Sequence, residues 1–155
     1  MSQPYYINPL RSLIIVLLVT TFSSTHAQVK LPKNISRAGS IEYSPSISAD
    51  GKTMVFQTDL YQRRGWFNIY MTFKNPDGWW DNPKQVKSIN QTGNKTDLIG
   101  GPMISYDGNT IFFFANYSNV KGAEEIYYAI REGDDFGKPI NIGLTINTDG
   151  YEGFP

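Results

Sequence analysis

Pro45-Ser46-Ile47-Ser48-Ala49-Asp50-Gly51-Lys52-Thr53 is answered 57 positions later by Pro102-Met103-Ile104-Ser105-Tyr106-Asp107-Gly108-Asn109-Thr110, and Phe56 by Phe113 at the same offset. The register continues outward: Ile69-Tyr70 matches Ile126-Tyr127, and Trp79 matches Phe136. A fixed period with a constant internal order of turn, apolar run and aromatic pair marks repeated supersecondary units that bury their faces against one another. The closing residues Glu152-Gly153-Phe154-Pro155 repeat the pattern of Glu42-Tyr43-Ser44-Pro45. They read as the start of a third unit.

Each unit carries the signals of four short strands. In the first, Glu42 to Ser48 runs into the Asp50-Gly51 hairpin turn, where Gly supplies a positive φ, and Thr53 to Thr58 returns. A polar loop from Asp59 to Gly65 leads to a third strand, Trp66 to Phe73; the cluster Asn75-Pro76-Asp77-Gly78 turns the chain toward a fourth, near Gln85 to Ser88. The second unit reads alike: Ile99 to Ser105, the turn Asp107-Gly108, Thr110 to Asn116, Glu125 to Ile130, a turn at Gly133-Asp134-Asp135, and Ile140 to Ile142. The run Thr110-Ile111-Phe112-Phe113-Phe114-Ala115 is apolar on both faces, as expected of a strand sandwiched between neighbouring sheets. The expected fold class is all-β: two four-stranded antiparallel propeller blades, part of an incomplete β-propeller.

Pro-x-Ile-Ser-x-Asp-Gly-x-Thr-x-x-Phe followed by Ile-Tyr resembles the WD40-like β-propeller repeat of exported bacterial proteins, related to the propeller of the Tol translocation system. The stretch from Ile146 to Pro155 is similar to the link between blades in the Bacteroidetes envelope branch, whose propellers often precede a peptidoglycan-binding domain of the outer-membrane protein A type. The resemblance spans residues 40 to 155 and implies a binding scaffold of the cell envelope. No such peptidoglycan-binding domain is present in these 155 residues. Family propellers also carry several blades, whereas two repeats are read here.

The amino terminus sets the compartment. Arg11 precedes the uncharged run Ser12 to Phe22, and Thr25-His26-Ala27 places small residues where a signal peptidase reads. The expected organisation is therefore a signal peptide over 1–27, a linker over 28–40, repeats over 41–98 and 99–152, and a third repeat beginning at 153–155. The apolar run is about half of the ~20 residues that span a bilayer, which favours cleavage over anchoring and implies no transmembrane span in the mature chain. With no cysteine after it, a lipoprotein-type anchor is excluded. The expected localisation is exported, periplasmic or associated with the outer membrane. The sequons at Asn34, Asn90, Asn94 and Asn116 matter only in a eukaryotic secretory pathway and are read as chance.

Removal of 1–27 takes the only histidine, and the chain has no cysteine. Triads, thiol nucleophiles and the usual imidazole or thiolate metal sites are thereby ruled out, so neither catalytic residues nor a metal or cofactor is expected. Fourteen basic and fourteen acidic residues balance, which speaks against nucleic acid as a partner. Asp50-Gly51 and Asp107-Gly108 read as structural repeat turns, and their adjacency departs from a sialidase-type Asp box. Trp80, Trp66 and Tyr61 are the candidate ligand-binding residues, able to stack on sugar rings. Trp79 is read as packing, because its counterpart is Phe136, while Trp80 faces Gly137 in the repeat. Glu124-Glu125, Asp134-Asp135 and Arg63-Arg64 are read as loop charge.

The function expected is a non-catalytic envelope scaffold or binding module for a protein or glycan. The alternative is the leading part of a propeller enzyme, a glycoside hydrolase or serine peptidase with its catalytic part downstream. An open blade face should further require self-association or more blades.

Overall fold

The computed structural model describes residues 31–60, 66–94, 97–117 and 124–155, which lie within one compact unit, Leu31–Pro155. The expected signal peptide, Tyr61 and Arg63-Arg64 lie outside the described residues. The fold is all-β. Sheet 1 is antiparallel in the order β1 (Glu42–Ile47), β2 (Thr53–Thr58), β3 (Asn68–Phe73) and β4 (Lys84–Gln85). One helical turn, α1 (Lys87–Asn90), leads to sheet 2: β5 (Ile99–Ile104), β6 (Thr110–Ala115), β7 (Glu125–Glu132) and β8 (Asp135–Phe136), with β9 (Ile140–Asn141) also paired to β7. Among the described residues no helix is long and apolar enough to cross a membrane.

The repeat is visible in backbone detail. The Ser48 hydroxyl donates to the Asp50 carboxylate at 2.7 Å and accepts from the Thr53 N–H at 3.0 Å. Ser105 does the same with Asp107 at 2.6 Å and Thr110 at 2.9 Å. Asp50 and Asp107 are therefore turn residues, and Gly51 and Gly108 hold φ of 69° and 74°, which only glycine adopts without cost. The Asp59 carboxylate accepts the Ile41 N–H at 2.9 Å, and the Asn116 amide oxygen accepts the Leu98 N–H at 2.8 Å.

A third matched contact was not read from the sequence. The Asn90 side chain accepts from the N–H of Ile69 and donates to its C=O, at 2.9 and 2.8 Å. Asn147 grips Ile126 in the same way, at 2.8 and 3.0 Å. One amide thus bonds both backbone groups of a third-strand residue, whose C=O also accepts a backbone N–H, from Val86 at 3.0 Å and from Ile142 at 3.2 Å. Ile89-Asn90 and Ile146-Asn147 stand at the repeat offset.

A left-handed residue before proline also recurs: Ser44 at φ 50°, Gly101 at 56° and Phe154 at 56°, preceding Pro45, Pro102 and Pro155. In the first two cases it coincides with a break in strand register, a bulge that bends the first strand.

The core lies between the sheets. Val55, Ile69 and Met71 of sheet 1 meet Ile104, Ile111, Phe113, Ala115, Tyr127 and Ala129 of sheet 2, all buried. On the far face of sheet 1, Met54, Phe56 and Tyr70 lie under Ile35, with Trp80 beside them. The segment expected to be a linker over 28–40 is therefore packed where it is described: Ile35 is buried, and the Asn34 amide donates to the carbonyls of Trp80 and Asp81.

Several boundaries differ from expectation for identifiable reasons. Trp66 and Phe67 precede β3 rather than opening it, and the segment expected as a strand to Ser88 closes as α1, so that Asn90 can reach Ile69. Arg131 pairs with Phe136, but Lys74 pairs with Trp80, one position beyond the strict repeat. The first unit has an extra residue in this hairpin, and the structural counterpart of Phe136 is Trp80.

Candidate functional site

That one-residue insertion reverses the roles expected of the two tryptophans. Trp80 packs beside the core cluster, with the Lys74 ammonium 5.6 Å from its ring centre, as the Arg131 guanidinium stands 5.1 Å from Phe136. Trp79 is the exposed one, at 69%. Neither lines the cleft described below. Trp66 does.

A cleft of about 580 Å³ opens where β2 ends and β3, β5 and the tail begin. Its aromatic wall is Trp66, Phe67, Phe114 and Tyr151, with Trp66 43% and Tyr151 57% exposed. Trp66 is placed here because it lies outside the β3 ladder; the neighbouring Phe67 ring is held by Tyr43, with centroids 5.4 Å apart. Tyr151 and Phe154 rest on Phe114, at 6.3 and 5.4 Å between ring centres.

The polar lining divides in two. One group serves the fold: Gln57 accepts the Gly101 N–H at 2.6 Å, Asn90 holds Ile69, and Asp97 accepts the Asn94 N–H at 2.7 Å. The close approach at Gln57 depends on glycine, since a Cβ at Gly101 would stand 2.9 Å from the Phe114 ring and its φ is positive. The other group, Asn68, Gln85, Gln91 and Glu124, lines the cleft with side chains that make no hydrogen bond among the described residues. Three amides and a carboxylate beside two accessible rings can donate to and accept from a hydroxyl-rich ligand while stacking on its apolar face.

The adjacent carboxylates separate as strand geometry requires. Glu124 lines the cleft, whereas Glu125 is buried and accepts from the Asn141 amide at 2.6 Å and the Tyr127 hydroxyl at 3.3 Å. Glu125 is thus a structural anchor and not the loop charge expected of it. Asp135 begins β8 and accepts its neighbour's N–H, Phe136, at 2.9 Å. Asp50 and Asp107 sit at the opposite end of β2 and β6 from the cleft, about 20 Å away by strand rise, and the hydroxyls of Ser48 and Ser105 hold both carboxyls below the usual range. Burial pushes the Tyr117 and Tyr127 hydroxyls up, away from reactivity, and Tyr117 donates to the Ile89 carbonyl at 3.0 Å. Among the described residues, no three His, Cys, Asp or Glu side chains converge on a metal position.

Tyr61, the remaining candidate, lies outside the described residues, so Trp66 alone of the three expected ligand residues is placed at the cleft. No protein-family model matches the chain, and no curated protein matches it in sequence.

Proposed function

We propose that this chain is a non-catalytic binding module of the WD40-like propeller-repeat type, exported to a bacterial envelope, and that its cleft takes a glycan. The observation that carries the ligand class is the pairing of Trp66 and Tyr151 with four polar side chains that make no hydrogen bond among the described residues. A sugar ring offers a C–H face for the indole and hydroxyls for Asn68, Gln85, Gln91 and Glu124. The envelope setting rests on the signal-like amino terminus and on the repeat resemblance.

The test is calorimetric titration with a panel of neutral and acidic oligosaccharides from bacterial and plant walls. Binding to a panel member should weaken about tenfold or more, or about 1.4 kcal/mol, in Trp66→Ala, and stay unchanged in Trp79→Ala, which alters an exposed indole outside the cleft. Absence of binding across the panel refutes the glycan reading. Turnover of a panel member that disappears in Glu124→Gln, with the melt unchanged, would instead support the glycoside hydrolase alternative.

A further inference from the structure

Asp-Gly occurs at 50–51, 77–78, 107–108 and 149–150. The first three occupy one kind of turn. Gly51, Gly78 and Gly108 hold a positive φ, at 69°, 84° and 74°, and each donates its N–H to the carbonyl three residues back, of Ser48, Asn75 and Ser105, at 2.9 Å. Asp50, Asp77 and Asp107 therefore stand at the same turn position, all exposed. At the fourth pair the Gly150 N–H donates instead to the Thr148 hydroxyl, at 3.0 Å.

The three like turns differ in how the aspartate is held. Asp50 accepts from the Ser48 hydroxyl at 2.7 Å and from the Lys52 N–H at 3.0 Å. Asp107 accepts from the Ser105 hydroxyl at 2.6 Å and from the Asn109 N–H and side-chain amide, both at 3.0 Å. These bonds favour the ionised carboxyl and lower both pKa values. In the third turn Asn75 replaces the serine, and its amide oxygen takes the Trp79 N–H at 2.9 Å, the donor that reaches the aspartate in the other two. Asp77 makes no hydrogen bond among the described residues.

An Asp-Gly pair can rearrange without any co-reactant but water. In the protonated carboxyl the glycine nitrogen bonds to Cγ, the Cγ–OH bond breaks, and the hydroxyl leaves with the amide proton as water, closing a succinimide ring. Water then adds to either ring carbonyl. Opening at the former backbone carbonyl leaves the chain running through the side-chain carbonyl, an isoaspartate of unchanged composition. The step needs a carboxyl free to take a proton and to turn toward the next nitrogen, and a following residue with no Cβ in the way. Hydrogen bonds to the carboxylate oppose both movements. We propose that Asp77-Gly78 is a site of spontaneous isoaspartate formation, and that the serine hydroxyls of the matched turns protect Asp50 and Asp107 from the same reaction. The product lengthens the backbone by a methylene at the tip of the β3–β4 hairpin, beside the exposed Trp79 and away from the core.

The test is peptide mapping of the chain after prolonged incubation at neutral pH, with isoaspartate at each site read by electron-transfer fragmentation. Asp77 should convert about tenfold or more faster than Asp50 and Asp107, a barrier difference of about 1.4 kcal/mol. In urea, where no turn is held, the three rates should converge. Asn75→Ser, which restores the serine, should slow conversion at Asp77. Ser48→Ala should speed it at Asp50 and leave Asp77 unchanged. Asn75→Ser alters only the hairpin tip, so the comparison stands even where Ser48→Ala unfolds the chain. Equal rates in the folded protein, a lead for Asp77 that persists undiminished in urea, or an unchanged rate at Asp77 in Asn75→Ser overturns the proposal.

Discussion

At the scale of single residues, the repeat is held by side chains that complete backbone hydrogen bonds. Asn147 is buried and holds both backbone groups of Ile126; Asn147→Ala strips the Ile126 N–H of its acceptor, while the C=O keeps the Ile142 N–H at 3.2 Å. Urea unfolding should show a loss of about 1–3 kcal/mol. Asn90→Ala should cost less, because Asn90 is half-buried, water can reach the freed Ile69 N–H, and the Ile69 C=O keeps the Val86 N–H at 3.0 Å. The matched turns add a dependence on pH. Asp50 and Asp107 are held below their ordinary value of 3.8, chiefly by the hydroxyls of Ser48 and Ser105. A depressed folded value means stability that is present above 3.8 and lost as pH falls through the folded values. Denaturation midpoints should therefore fall below about pH 4 in the wild type, and the acid loss should be smaller in Asp50→Asn/Asp107→Asn. An identical acid profile in both proteins would contradict this account.

At the scale of elements, the hairpin after β3 shows how one residue redistributes two indoles. The spacing assigns Trp79 to packing by its match with Phe136, but the five residues between Lys74 and Trp80, against four between Arg131 and Phe136, move the inward position along by one. Trp79→Ala should change stability by less than about 0.5 kcal/mol, and Trp80→Ala should cost about 2 kcal/mol, below a fully buried tryptophan because Trp80 is half-buried. Thermal melts of the two variants separate the assignments. The second-unit hairpin also ties the sheets together: the Arg131 guanidinium donates to the Gly108 carbonyl at 2.7 Å and stands 5.6 Å from the Phe73 ring of sheet 1. Its pKa is lowered by burial.

At the scale of the molecule, one core is shared by two sheets, with a cleft at one edge and an apolar outer face on the second sheet. The shared core makes each sheet the cover of the other, as expected for stacked repeats. The far face of sheet 1 is closed by the segment around Ile35, so the two outer faces are not equivalent even though the repeats are. The cleft and the outer face are joined at Phe114, where Tyr151 lines the cavity and Phe154 lies on the same ring.

The period, the Asp-Gly turns, the first three strands of each sheet and the all-β class were legible in the sequence, because these depend on local spacing and on backbone conformations that few residues adopt. The Ile-Asn pairs at 89–90 and 146–147 stood at the same offset and were legible in principle. That Trp66 faces a cleft while Trp80 packs inward, that Glu124 and Glu125 part company, and that Ile35 packs on sheet 1 was not legible there. Those outcomes depend on a one-residue insertion, on where a ladder begins, and on contacts between segments distant in the chain. Periodicity reports which residues share a face. What lies against that face is set by the other sheet.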